Sequence, residues 1–263
     1  MSVWENFESE CVDYLNQQFS KYARFTLKGG SNSTVPDIQV NTIRGKSFYI
    51  EAKHSPAQCG QFVLLPNIST QSFEYSQQNA NSLNEYAQMI IDHMNKSFDE
   101  YREAGTAGIE IDIQNHEHIF SQWIINAYLL KGVRYFITNN FLIFPIEQFQ
   151  TYFNITAKYR IKRSGSSSVG RGNIDNVLNY LTDNYKINEN RIETDKLFIG
   201  SEQKLHNQRF ILNGHEYMIS SRDREYEVRK LSNTYNANVI FSIYPKGVEQ
   251  GISNSEFISY LQN

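Results

Sequence analysis

Residues 36–53 constrain this chain most. Pro36-Asp37 stands at one end and Glu51-Ala52-Lys53 at the other. Between them, Val35 and Ile38 lead into Val40, Arg44-Gly45-Lys46 has the composition of a turn, and Ser47-Phe48-Tyr49-Ile50 is a short apolar and aromatic run. That pattern predicts a β-hairpin. Antiparallel pairing brings Asp37 close to Glu51. Glu51 and Lys53 are two apart, so both point to one face of their strand. Two carboxylates and one ammonium then share a patch. Such a patch suits a hard divalent cation held through oxygen, with the lysine placed to orient or deprotonate a water. Read without a metal, the same residues are a surface hairpin with ordinary salt-bridging charges.

Pro36-Asp37 and Glu51-Ala52-Lys53 match the PD-(D/E)xK nuclease motif letter for letter. Further stretches resemble the HhaI-type restriction endonucleases: Gln58 to Leu64, Pro66-Asn67, Phe73 and Tyr75-Ser76; Tyr159-Arg160-Ile161-Lys162 with Ser164-Gly165-Ser166; and Leu231 to Thr234 with Asn236 to Ile243. The likeness runs nearly end to end and is weakest between about Ser167 and Glu227. The spacer between Asp37 and Glu51 is longer than the family's; a longer turn around Arg44 absorbs it and leaves the hairpin register open.

The resemblance implies an α/β (α+β) fold, a mixed restriction-endonuclease-like sheet flanked by helices, with additional small β-sheet modules. It implies three modules: a catalytic domain at 1–130, a sequence-recognition domain at 131–166 and 229–263, and an additional DNA-contacting module at 167–228. The implied activity is that of a type II restriction endonuclease acting on duplex DNA, with GCGC as its site and 5′-phosphate and 3′-hydroxyl ends. Asp37 and Glu51 would hold Mg2+, with Mn2+ as a substitute and the carbonyl of Ala52 completing the set, and Lys53 would orient the water. A helical glutamate often adds a metal ligand in PD-(D/E)xK enzymes; Glu8 is the best-placed candidate, with Glu5 and Glu10 behind it. A monomer with one active centre is implied, and a cognate DNA methyltransferase in the same system but not as a stable partner. Two other readings stay open: a repair or junction-resolving nuclease that cuts by DNA shape, and a DNA-binding protein with a vestigial nuclease centre.

Composition bounds these readings. The chain of 263 residues carries 17 Tyr and 17 Phe, enough for a substantial aromatic core. No apolar run approaches a membrane span, and Met1 to Glu5 lacks the pattern of a secretory signal. Cys11 and Cys59 give neither a disulfide framework nor a metal set, so a reducing cytoplasm is the expected home. A net charge of −3 argues mildly against non-specific coating of nucleic acid but permits a local basic groove.

Along the chain, Trp4, Phe7, Cys11, Tyr14, Leu15 and Phe19 recur at helical steps, predicting a helix over 4–19. Lys28 with Gly29-Gly30 reads as a turn. Gln58 and Gln61 follow the catalytic strand, where a glutamine could position the attacking water or touch a base edge. A helix is predicted over 82–101, with Leu83, Tyr86, Ala87, Ile90, Ile91, Met94 and Phe98 as its stripe, and an amphipathic helix over 120–130. His116-Glu117-His118 lacks the spacing of a structural zinc site and reads as a loop or helix start. Asn139-Asn140 predicts a hairpin turn. Lys158, Arg160, Lys162 and Arg163 alternate with Tyr159 and Ile161, predicting a strand with a basic face. Ser164 and Ser166 adjoin it. Arginine against guanine and serine against phosphate is the chemistry of a DNA-reading element; the plainer reading is a strand edge blunted by charge. Asn233, Asn236 and Asn238 at the start of an apolar strand are further candidates for base contact.

Overall fold

A computed structural model describes residues 3–28, 35–163, 165–231 and 235–263; the side chains of residues 3–5, 163 and 235 fall outside the described part. The chain forms two compact units, Met1–Ile161 with Ala237–Asn263, and Lys162–Asn236. Residues 131–161 and 237–263 thus share one unit with 1–130.

The first unit opens with α1 (Val3–Phe19), whose Phe7, Cys11, Leu15 and Phe19 are buried as their spacing predicts. β1 (Ala23–Leu27) pairs antiparallel with β2 (Ile38–Thr42), and β2 with β3 (Ser47–Lys53). Ile38 stands opposite Ile50 and Val40 opposite Phe48, which settles the hairpin register. The long spacer is taken up at the turn. The Lys46 N–H donates to Thr42 Oγ1 at 3.0 Å, and Gly45 supplies a φ of +84°.

β4 (Ala57–Asn67) and β5 (Ser72–Tyr75) follow, then α2 (Glu85–Lys96), capped by Asn84, whose side chain accepts the Ala87 N–H at 2.8 Å. The helix predicted over 82–101 is two helices. It breaks at Ser97, where φ −124° and ψ 42° are not helical, and resumes as α3 (Phe98–Arg102). Leu83 precedes α2 and is exposed, so it does not belong to the buried stripe. After β6 (Ile109–Glu110), α4 (His116–Leu130) starts four residues ahead of the expected Phe120, taking in the His116-Glu117-His118 stretch. It is buried on nearly all sides rather than amphipathic. Tyr128 meets Phe136 on one side, while Trp123 stacks on Phe241 at 4.5 Å on the other. β7 (Val133–Thr138) turns through Asn139–Phe141 into β8 (Leu142–Pro145), with Asn140 and Phe141 at φ +60° and +56°. α5 (Phe149–Tyr152) and β9 (Phe153–Arg163) end this part of the unit.

The second unit contains β10 (Ser166–Ser168), α6 (Ile174–Asn184), β11 (Glu189–Glu193), β12 (Lys196–Gly200), β13 (Arg209–Leu212), β14 (His215–Arg222) and β15 (Glu225–Leu231). Its strands lie in the order β11-β12-β15-β14-β13, with β10 also on β15. Val177 and Leu181 of α6 pack with Leu197, Ile219 and Val228 as an independent core. The Asn213-Gly214 turn joins β13 to β14 with both residues at positive φ.

The chain returns to the first unit through β16 (Tyr235–Pro245) and ends in α7 (Asn254–Gln262). That unit holds two sheets, β1-β2-β3-β7-β8 and β5-β4-β16-β9-β6. The first sheet packs one face against α1 and α7. Its other face shares a core with α4 and the second sheet, which is why α4 has no polar side. Among the described residues no helix is long and apolar enough to cross a membrane.

Candidate active site

The motif residues meet at one end of the hairpin. Continuing the β2–β3 register places Asp37 beside Glu51. Both are buried, at 8% and 6% exposure, against the habit of carboxylates. Lys53 Nζ donates to Glu51 Oε1 at 2.6 Å and lies 4.0 Å from Asp37 Oδ2. The Ala52 N–H donates to Asp37 Oδ2 at 3.0 Å. The N–H and C=O of a strand residue face the same neighbour, so the Ala52 carbonyl looks to the Asp37 side as well.

The backbone on either side of these residues is fixed. The Lys28 N–H donates to the Asp37 carbonyl at 2.7 Å. β3 pairs in parallel with β7, and Thr138 Oγ1 donates to the Lys53 carbonyl at 2.7 Å. Asn139 grips Ser55 twice: its Oδ1 accepts the Ser55 N–H at 2.9 Å and its Nδ2 donates to the Ser55 carbonyl at 2.8 Å. The Asn139 expected only to make a turn therefore also fixes the segment after Lys53.

Charge at the site is unbalanced. Burial, and next the charge of Glu51, push the Asp37 carboxyl up to about 7, while Lys53 pulls it down less strongly. Burial disfavours the Lys53 ammonium, but Glu51 and Asp37 outweigh it and hold Lys53 above its ordinary value. Two buried carboxylates share one cation, and their hard oxygens suit Mg2+. Glu8 is buried and lines the same cavity. Among the described residues no group of three or more His, Cys, Asp and Glu side chains is gathered closely enough to hold a metal by itself. Asp37 and Glu51 with a backbone carbonyl are an oxygen set of the kind a divalent cation takes.

A carboxyl held above its unfolded value of 3.8 binds a proton on folding. Its contribution to stability is fully present below that value and is lost as pH rises through about 7. A divalent cation competes with the same proton. We expect the metal-free wild type to lose melting temperature relative to Asp37→Asn between about pH 4 and about pH 7. Mg2+ should restore more at the upper end. Thermal melts of both proteins with and without Mg2+ check this; parallel curves would contradict it.

The cavity at this centre is about 540 Å³. Besides the motif residues it is lined by Gln58, Gln61, Trp123, Tyr128, Asn79 and Lys131, among others. Of these, Tyr128, Trp123, Asn79 and Lys131 carry no local sequence signal; the fold brings them there from afar. Tyr128 Oη lies 3.9 Å from Cys59 Sγ, and burial pushes that thiol up to about 12, so it is an inert wall.

The expected recognition residues fall in different places. On β9, Tyr159 and Ile161 are buried while Lys158, Arg160 and Lys162 alternate outward. The Arg160 Nε is enclosed and makes no hydrogen bond among the described residues. Asn238 on β16 is buried opposite Val63. Lys162, Ser166 and Asn236 belong to the second unit. Ser164 and Asn233, the side chains of Arg163 and Glu5, and the Gly29-Gly30 loop lie outside the described residues.

A buried carboxylate pair and a lysine at the end of a mixed sheet have the makeup of a PD-(D/E)xK nuclease centre. No protein-family model and no curated protein matches the chain. A solved structure of HhaI endonuclease in complex with DNA does match, with a TM-score of 0.76 and 36% identity over 100% of both chains. The chain belongs to the HhaI family of restriction endonucleases, type II site-specific deoxyribonucleases.

Proposed function

We propose that this enzyme hydrolyses phosphodiester bonds of duplex DNA at GCGC, using Mg2+ or Mn2+, and leaves 5′-phosphate and 3′-hydroxyl ends. The observation that carries the reading is the convergence of Asp37, Glu51 and Lys53 on one cavity. Asp37, Glu51 and the Ala52 carbonyl hold the metal ion. When bound, the ion polarises the scissile phosphate and lowers the pKa of a water. Lys53 orients the attacking water and offsets charge on the pentavalent transition state. In-line attack on phosphorus breaks the bond to the 3′ oxygen. Thr138 and Asn139 keep the strand end rigid, so Lys53 does not wander from the reacting centre.

We assign sequence reading to the segments 131–166 and 229–263, with Lys158, Arg160 and Asn238 on the second sheet, and further DNA contacts to the module at 167–228. The enzyme acts as a monomer in a reducing cytoplasm, with a separate cognate DNA methyltransferase in the same system and not as a stable partner. Arg160→Ala should cost about 1–3 kcal/mol of discrimination at a guanine. Competition binding in Ca2+ between a GCGC duplex and a scrambled one measures it; equal weakening on both would remove Arg160 from base reading.

The function itself is tested on the same two duplexes in Mg2+. Cutting confined to GCGC, with ends that a ligase rejoins, supports the reading. Cutting of bent or branched DNA without a preferred sequence would indicate a shape-specific nuclease. Binding without cutting would indicate a vestigial centre.

A further inference from the structure

β4 and β16 run antiparallel with Val239 opposite Phe62 and Ile240 opposite Gln61. Two residues further along β16, Ser242 stands opposite Gln58, not Cys59. β4 therefore carries one extra residue here, a β-bulge at Cys59-Gly60. Gly60 has a φ of +98°, and a Cβ there would lie 2.9 Å from a ring carbon of Trp123. Only glycine accommodates both demands.

The bulge has a directional consequence. In a regular strand, residues three apart face opposite sides. Here Gln58 and Gln61 face the same side, both exposed, while Cys59 and Phe62 are both buried. Gln58 Nε2 donates to Gln61 Oε1 at 3.2 Å, and both line the cavity of Asp37, Glu51 and Lys53.

The bond fixes what the pair presents. Gln61 spends one lone pair of its oxygen on that bond and keeps its amide N–H groups as donors. Gln58 keeps its carbonyl oxygen as an acceptor. A G·C pair offers guanine acceptors beside a cytosine N–H donor in the major groove, which is the complementary set. Neither side chain carries charge, so the pair adds little to non-specific attraction for phosphate. We propose that Gln58 and Gln61 act as one specificity-determining unit that reads a base-pair edge beside the scissile phosphate, and that the Gly60 bulge is the device that positions it. This rests on the endonuclease reading above.

The test is cleavage of a randomised duplex library in Mg2+ by wild type, Gln58→Ala, Gln61→Ala and the double variant, with the cut ends sequenced. Wild type should collapse onto one sequence. A wild type with no preferred sequence would defeat the endonuclease reading itself, whatever the variants do. Given a preferred sequence, each single variant should relax the same base-pair position by about five- to 150-fold. The double variant should add little, because either truncation already breaks the unit. Gly60→Ala, if its circular dichroism spectrum is native, should relax that position too; if it does not fold, the glutamine variants decide alone. Relaxation at two different positions, or slower cutting with specificity unchanged, would overturn the proposal; the latter would make the glutamines water-positioning residues.

Discussion

Asp37→Ala and Glu51→Ala should each lower single-turnover cleavage by about a thousandfold or more, since a metal ion supplies several kcal/mol of transition-state stabilisation. Duplex binding in Ca2+ should stay measurable. Asp37 and Glu51 are the two carboxylates of the motif, so losing either should weaken the hold on Mg2+. The variants should differ in stability. Without Asp37, the crowding of two buried carboxylates is relieved, at the cost of an acceptor for the Ala52 N–H. Without Glu51, Lys53 loses its 2.6 Å partner and keeps only Asp37 at 4.0 Å. Glu51→Ala should therefore melt lower than Asp37→Ala in the absence of metal. Rapid-quench cleavage on a GCGC duplex with saturating enzyme reads the rates; near wild-type cutting by either variant would remove that residue from the centre.

Lys53→Met carries the second large effect. Turnover should fall by about a hundredfold or more with affinity nearly unchanged, because the ammonium acts on charge that develops in the transition state. Methionine keeps the length of the side chain and removes the charge. It also leaves Asp37 and Glu51 facing each other without a cation, so Mg2+ should raise the melting temperature of the variant more than that of wild type. The split is read from binding in Ca2+ and from cleavage at saturation in Mg2+. Weak binding with normal cutting at saturation would make Lys53 a phosphate anchor instead.

What the sequence made legible was local. The β2–β3 hairpin needs only alternation and a turn, so it places Asp37, Glu51 and Lys53 together without any distant contact. The basic face of β9 follows from period two in the same way. What was not legible depends on partners far along the chain. α4 lies between two sheets, and burial on both sides erased the polar stripe that an amphipathic helix would show. The wall formed by Trp123 and Tyr128, and the placing of Lys131, come with that helix. The break at Ser97 has no proline or glycine to mark it. Gly60 stood in plain view, but its bulge exists only because β16 pairs on one side and Trp123 presses on the other. Gln58 and Gln61 could be suspected from their nearness to Lys53, while their common face could not.

The most direct measurement is digestion of a plasmid of known sequence by the wild-type enzyme in Mg2+, with every new end sequenced. Discrete fragments are expected, all ending within GCGC and carrying 5′-phosphates, and none when Ca2+ replaces Mg2+. Ends scattered without a common sequence, or equal cutting in Ca2+ alone, would contradict it.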